Sequence, residues 1–154
     1  MRRTRAPRKA EITRTVRLLL ACAIICSCRG SGAEVARVGS PKGDVEGVVV
    51  ETNGGATTSF GYDIYVVASG KAPEASRLVA TLYGALRNEH SSGVNLTWSS
   101  SDVLLVEFME AKIAKVVMPV IRIGPHQVWV ALSDGNVDPR APAGGMLMNV
   151  SRER

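Results

Sequence analysis

Few side chains here have the types and spacing that chemistry requires. His90 and His126 each stand without a His-x-x-x-His or Glu-x-x-His neighbour. Zinc takes three or four ligands at set spacings, and an imidazole base needs a group that orients it. Neither histidine therefore predicts a metal site or a general base. No Gly-x-Ser-x-Gly elbow is present, so nothing in the pattern builds a serine nucleophile. The run Gly54-Gly55-Ala56-Thr57-Thr58-Ser59 offers N–H and O–H groups to an anion or a partner, but lacks the lysine and spacing of a P-loop. A turn followed by strand threonines is its first reading. Thr57, Thr58, Ser59 and Tyr62 are nevertheless the candidate ligand or partner surface. Glu107, Glu110, Lys112 and Lys115 read as a solvated face beside an apolar strand, or as i,i+3 pairs if that segment is helical. Trp98 and Trp129 fall in strand patterns and read as packing residues. No catalytic residue, no metal and no cofactor is expected.

One thiol has a context of its own. Arg2, Arg3, Arg5, Arg8, Lys9, Arg14 and Arg17 precede an apolar run, Leu18 to Ile25, which ends at Cys26-Ser27-Cys28. A basic region, a short apolar region and a small residue before the cut are the marks of an export signal. The eleven uncharged residues from Leu18 to Cys28 would make a helix about 16 Å long. That falls short of the roughly 30 Å of a hydrocarbon core, so the segment is read as a leader and not as a membrane span. Ile24-Ile25-Cys26-Ser27-Cys28 resembles the bacterial lipobox, with Cys26 an unusual occupant of its slot. The resemblance implies that the Cys28 thiol takes a diacylglyceryl group and that its freed amine takes a further acyl chain such as palmitate. Two or more chains anchor a protein stably where one does so only marginally. The alternative is ordinary cleavage after Ser31-Gly32-Ala33, which would release a soluble periplasmic or secreted protein.

Removing residues 1–27 changes the charge. They hold seven of the nineteen Lys+Arg and one Glu, a net +6 against +5 for the whole chain, which leaves −1 for residues 28–154. The basicity thus belongs to targeting, and no nucleic-acid partner is expected, because phosphate binding needs a basic patch on the folded part. Cys22 and Cys26 would leave with the leader and Cys28 would be acylated, so no disulfide framework remains.

Residues 28–154 suffice for one domain with a single core. Residues 28–41 are read as a flexible tether, 42–136 as a β domain and 137–154 as an irregular tail rich in Gly and Pro. Val45 to Thr52 and Thr57 to Val67 alternate around Asn53-Gly54-Gly55, which predicts a hairpin with a tight turn. Phe60, Tyr62, Ile64 and Val66 fall on one face of it. Val94–Trp98 and Val103–Phe108 flank the turn Ser99-Ser100-Ser101-Asp102. Val116–Ile123 and Gln127–Leu132 flank Gly124-Pro125-His126. Residues 74–87 fit both a helix and a strand. The expected fold is mainly β, a small antiparallel sheet or meander, with 74–87 the one place for a helix across it and α+β the alternative. Asn95-Leu96-Thr97 and Asn149-Val150-Ser151 match the glycosylation pattern and are read as coincidence behind a bacterial-type leader.

Ser40-Pro41-Lys42-Gly43, the valine strand and Gly54-Gly55-Ala56-Thr57-Thr58-Ser59-Phe60 together resemble a family of small uncharacterised bacterial exported or lipoprotein-like proteins. Asn95-Leu96-Thr97-Trp98, and Asp138-Pro139 before Gly144-Gly145-Met146, are similar too. The resemblance implies an exported domain and assigns it no catalytic residue. The expected protein is a lipid-anchored component of the cell envelope on the exported side of the membrane, a binding or structural module whose partner is an envelope protein or a small ligand. A small periplasmic or secreted enzyme is the competing class.

Overall fold

The computed structural model describes residues 32–87 and 93–136. The leader with Cys28, the segment holding His90, and residues 137–154 with Asn149 lie outside the described residues. The nine described strands are β1 (Ala33–Gly39), β2 (Val45–Asn53), β3 (Phe60–Ala68), β4 (Leu78–Tyr83), β5 (Asn95–Ser100), β6 (Val103–Glu107), β7 (Ile113–Val116), β8 (Val120–Ile123) and β9 (His126–Ser133). They form a five-stranded sheet, β1-β2-β3-β4-β7, and a four-stranded sheet, β5-β6-β9-β8. The fold is mainly β.

Alternation decides which face is buried. Val45, Gly47, Val49 and Glu51 lie in register with Ala68, Val66, Ile64 and Tyr62, and Val45, Val49, Tyr62, Ile64 and Val66 belong to the core. Ala80 and Leu82 of β4 extend this layer. Leu96, Leu104, Val106, Ile121, Ile123, Val128 and Val130 supply the facing layer from the second sheet. Each fully buried aliphatic side chain is worth about 1.5–3 kcal/mol, so this layer outweighs any single polar contact described below.

Five expectations change. Residues 74–87 hold one 3₁₀ turn, Ala75–Arg77, followed by strand β4, and no helix crosses the sheet. Strand wins because β3 and β7 flank β4 and satisfy its backbone on both sides, while Gly84, at φ +65, ends it. Residues 33–39, expected within the tether, are edge strand β1, paired to β2 from Ala33↔Glu51 to Gly39↔Glu46. A bulge between Glu34 and Ala36 breaks the alternation and hides the strand from a periodicity reading. The sheets are not a pure antiparallel meander: β6 and β9 pair in parallel, Val103↔Trp129 through Glu107↔Ser133. The extended run Val116–Ile123 divides at Pro119, with β7 in one sheet and β8 in the other. Finally, the first hairpin closes at Asn53↔Phe60, so its loop spans residues 54–59 instead of a tight three-residue turn. Asn53 Oδ1 accepts the Gly55 N–H at 2.9 Å, and Gly55 takes φ +105.

Two devices hold the sheets together. Gly47 faces the second sheet, and a Cβ there would lie 2.9 Å from Leu96 Cδ1 and 3.1 Å from Leu104 Cδ2. Trp98 Nε1 donates to the Val38 carbonyl at 3.0 Å, joining β5 to β1. Edge strand β1 has a further tie. Arg37 grips both oxygens of Glu34, at 2.7 and 2.9 Å, and also donates to Glu46. Glu46 in turn accepts the Ser69 hydroxyl and the Gly70 N–H, each at 3.0 Å.

Gly47→Val is expected to destabilise by roughly 1–3 kcal/mol, the usual cost of overpacking a filled core. Gly39→Ala, where an added Cβ meets nothing within 4 Å, is expected to be neutral or slightly stabilising. Urea melts of the two variants check this. Acid should loosen β1. Arg37 holds Glu34 below the ordinary carboxylate range, and the Gly70 N–H, followed by Arg37, does the same for Glu46. Lowered folded pKa values stabilise above the ordinary value near 4.5, and that contribution is lost as pH falls through the folded values. The melting temperature of wild type is therefore expected to fall more steeply below about pH 4.5 than that of Arg37→Gln.

Candidate functional site

Strand direction collects the candidate residues at one end of the molecule. Ala33, Glu51, Tyr62, Leu82 and Ala114 form one row across the five-stranded sheet. The start of β1, the 54–59 loop, the end of β4 and the start of β7 therefore share an end. The 40–44 turn and the Gly124-Pro125 turn before His126 share the opposite end.

The loop is built by local bonds. Thr58 donates its N–H and its hydroxyl to the Gly55 carbonyl, each at 3.1 Å. Thr57 and Thr58 are exposed. Ser59 is half-buried: its N–H donates to the Tyr83 hydroxyl at 3.0 Å, and its own hydroxyl accepts from Lys112 Nζ at 2.8 Å. Those contacts, chiefly the Ser59 N–H, hold the Tyr83 pKa below its ordinary value. The loop is thus pinned to β4 and to the strand start at β7.

Tyr62 does not join this surface. It is wholly buried, because it shares its face with Ile64 and Val66, and its hydroxyl accepts the Gly93 N–H at 3.1 Å. Burial drives its pKa up; the Gly93 N–H opposes that, and the neighbouring Glu51 carboxylate adds to it. Glu51 Oε1 takes Arg87 at 3.0 Å, while its Oε2 is buried without a hydrogen-bond partner. The Arg87 guanidinium also lies 3.9 Å from the centroid of Phe60, a cation–π contact. Sequence reasoning missed Glu51, Arg87 and Tyr83, and read Lys112 as part of a solvated face and not as a tie to the loop. Only pairing across β2, β3, β4 and β7 brings them to the loop, and no short-range pattern carries that.

His126 does meet a carboxylate. Its Nε2 lies 3.4 Å from Asp44 Oδ2, where the first β-turn meets the β8–β9 hairpin. The Asp44 side chain is 55% exposed, so the pair forms an open surface contact joining the sheets. Asp63 faces outward between Val50 and Thr81, and partial burial pushes its pKa up. Asn95 is buried, with its amide donating to Glu107 at 3.4 Å, and Thr97 donates to the same carboxylate at 2.8 Å. Among the described residues no group of three His, Cys, Asp or Glu is placed to hold a metal ion, and no helix is long and apolar enough to cross a membrane. In comparisons with known proteins, no family model, curated protein or solved structure matches the chain.

Tyr62→Phe removes the acceptor for a buried N–H and is expected to cost about 1–3 kcal/mol. Thr57→Ala should stay within about 0.5 kcal/mol of wild type, as exposed loop positions do. Equilibrium unfolding of both variants separates the core tyrosine from the loop threonine.

Proposed function

We propose that this is a lipid-anchored bacterial envelope protein whose β-sandwich serves as a binding or structural module on the exported side of the membrane. The observation that carries the reading is the segment Arg2–Cys28: a basic lead, an apolar run too short to span, and a cysteine directly after a small residue. The fold supports it in two ways. Strand β1 begins at Ala33, five positions beyond Cys28, so an anchor there leaves the whole sandwich intact. The interior is filled by apolar side chains, while Tyr83, Leu86, Ile113, Val117 and Trp129 are exposed, and the paired Tyr83 and Ile113 offer apolar surface for a contact.

The enzyme reading has less support. The one histidine–carboxylate pair described, His126 with Asp44, is shallow, and the partly exposed carboxylates Asp63 and Glu51 lie elsewhere in the five-stranded sheet. The resemblance to small exported bacterial proteins remains part of the proposal and adds no activity to it.

Intact mass of the membrane-extracted protein tests the anchor. The expected species begins at Cys28 and carries diacylglyceryl and acyl mass. Cys28→Ala should abolish acylation and leave precursor. A wild-type protein that begins at Glu34 and partitions into the aqueous phase would show ordinary cleavage and release instead.

A further inference from the structure

We infer that the end of the sandwich bearing Tyr83, Leu86 and Ile113 rests against the phospholipid surface that holds the anchor. The inference depends on acylation at Cys28 and adds an orientation to it.

The tether sets the geometry. Five residue steps separate Cys28 from Ala33, and a chain spans at most about 3.6 Å per residue, so the start of β1 lies within about 18 Å of an acylated Cys28. Ala33 sits in the row that runs through Glu51, Tyr62 and Leu82 to Ala114. The same end therefore carries the 54–59 loop, Tyr83 and Ile113. Strands β2 and β3 have nine residues each, about 30 Å in length. That length holds the opposite end, with Asp44 and His126, away from the surface.

The residues at the near end suit a membrane interface. Ile113 is 59% exposed, Leu86 43% and Tyr83 37%. Tyr83 and Ile113 are directly paired across β4 and β7, and the Leu86 N–H is bound at 3.0 Å by the carbonyl of Glu110, three residues before Ile113. Tyr83 and Ile113 are thus neighbours across the β4–β7 ladder, and the Leu86 backbone is tied to the segment that leads into β7. Tyrosine places an apolar ring and a polar tip at the headgroup level. Lys112, adjacent to Ile113 and exposed, donates to the Ser59 hydroxyl, and the remaining N–H groups of its ammonium can reach headgroup phosphates. Carboxylates at this end limit the electrostatic part: Glu34 and Glu51 are paired with arginines and Glu110 is exposed. The contact is consequently apolar and interfacial more than charge-driven. Trp129, 52% exposed, lies on the outer face of the other sheet between Val103 and Val120 and is not part of it.

The test uses the full chain, processed and acylated, in vesicles of phosphatidylethanolamine and phosphatidylglycerol. Acylation blocks the Cys28 thiol and processing removes Cys22 and Cys26, so a single introduced cysteine takes a fluorophore. Ile113→Cys and Leu86→Cys report on the near end, and Lys42→Cys on the far end. The expected result is that labels at 113 and 86 lose accessibility to an aqueous quencher and gain quenching by a lipid-borne one, while the label at 42 does neither. Equal aqueous accessibility at all three sites in a protein whose mass shows the acyl chains would overturn the orientation and leave the anchor standing. Shielding at 113 that persists in detergent together with a doubled mass would assign the face to a second copy and likewise overturn it. Absence of acyl mass would remove the anchor itself. Ile113→Ser with Tyr83→Ser should restore aqueous accessibility at a label on Leu86→Cys without releasing the protein from the vesicles.

Discussion

Everything in this molecule depends on two sheets approaching closely enough to exclude water, and that approach is set where Gly47 faces Leu96 and Leu104. Stacked sheets pack about 10 Å apart, and a side chain at position 47 would hold them wider at the centre. The valines on either side along the strand, Val45 and Val49, then fill the layer in the usual way. Trp98 completes the contact at the edge. Its ring packs on the core, and its indole N–H finds the Val38 carbonyl, so a polar group that would otherwise resist burial is satisfied across the gap. Non-directional burial supplies most of the stability, and these two features fix the spacing and registry at which it is obtained.

A sandwich assembled this way has two unlike ends. At one, the 40–44 turn, the 124–125 turn and the Asp44–His126 contact close the sheets with short connections. At the other lie the 54–59 loop, the end of β4 and the start of β7. This second end concentrates the polar strain. Glu51 carries a buried carboxylate oxygen without a partner, balanced on its other side by Arg87, which in turn lies over Phe60. A half-buried charge that keeps its partner is tolerable, and one that loses it costs part of its desolvation. The integrity of this end therefore rests on Arg87 more than on the exposed threonines of the loop.

The sequence was most legible where local pattern and tertiary structure agree. The alternation Phe60, Tyr62, Ile64 and Val66 located the inner face of β3, and Gly54-Gly55 marked the loop after β2. It was least legible where pairing overrides periodicity. Leu78-Val79-Ala80-Thr81-Leu82-Tyr83 is compatible with either helix or strand, and the choice is made by β3 and β7, which lie 10 and 30 positions from its ends. β1 was hidden because an edge strand needs backbone ladder bonds more than apolar side chains, and a bulge shifts its alternation. The candidate surface failed at Tyr62 for a related reason. A tyrosine beside hydroxyl-rich residues reads as polar surface, yet its strand parity had already placed it with Ile64 in the core. Tyr83, Lys112 and Ile113 could not be joined from sequence, since only the β4–β7 ladder makes them neighbours.

Edge position gives β1 a second consequence when the anchor proposed at Cys28 is considered. With such an anchor, any force between membrane and domain would enter the fold through the first strand. That strand is paired on one side only, to β2, and its register slips at the bulge between Glu34 and Ala36. The ladder alone would fray from Ala33 inward, because an edge strand opens one bond at a time. Arg37 lies beyond the bulge and binds Glu34 on the near side, Glu46 on β2 and the Lys71 carbonyl of the loop after β3. It thereby clamps the bulge across three segments. Exposed ion pairs taken singly contribute little, but this guanidinium joins groups that would otherwise separate in sequence. The clamp stands where a load from the tether would first meet the sheet, and the Trp98 bond to Val38 lies one residue further along the same strand.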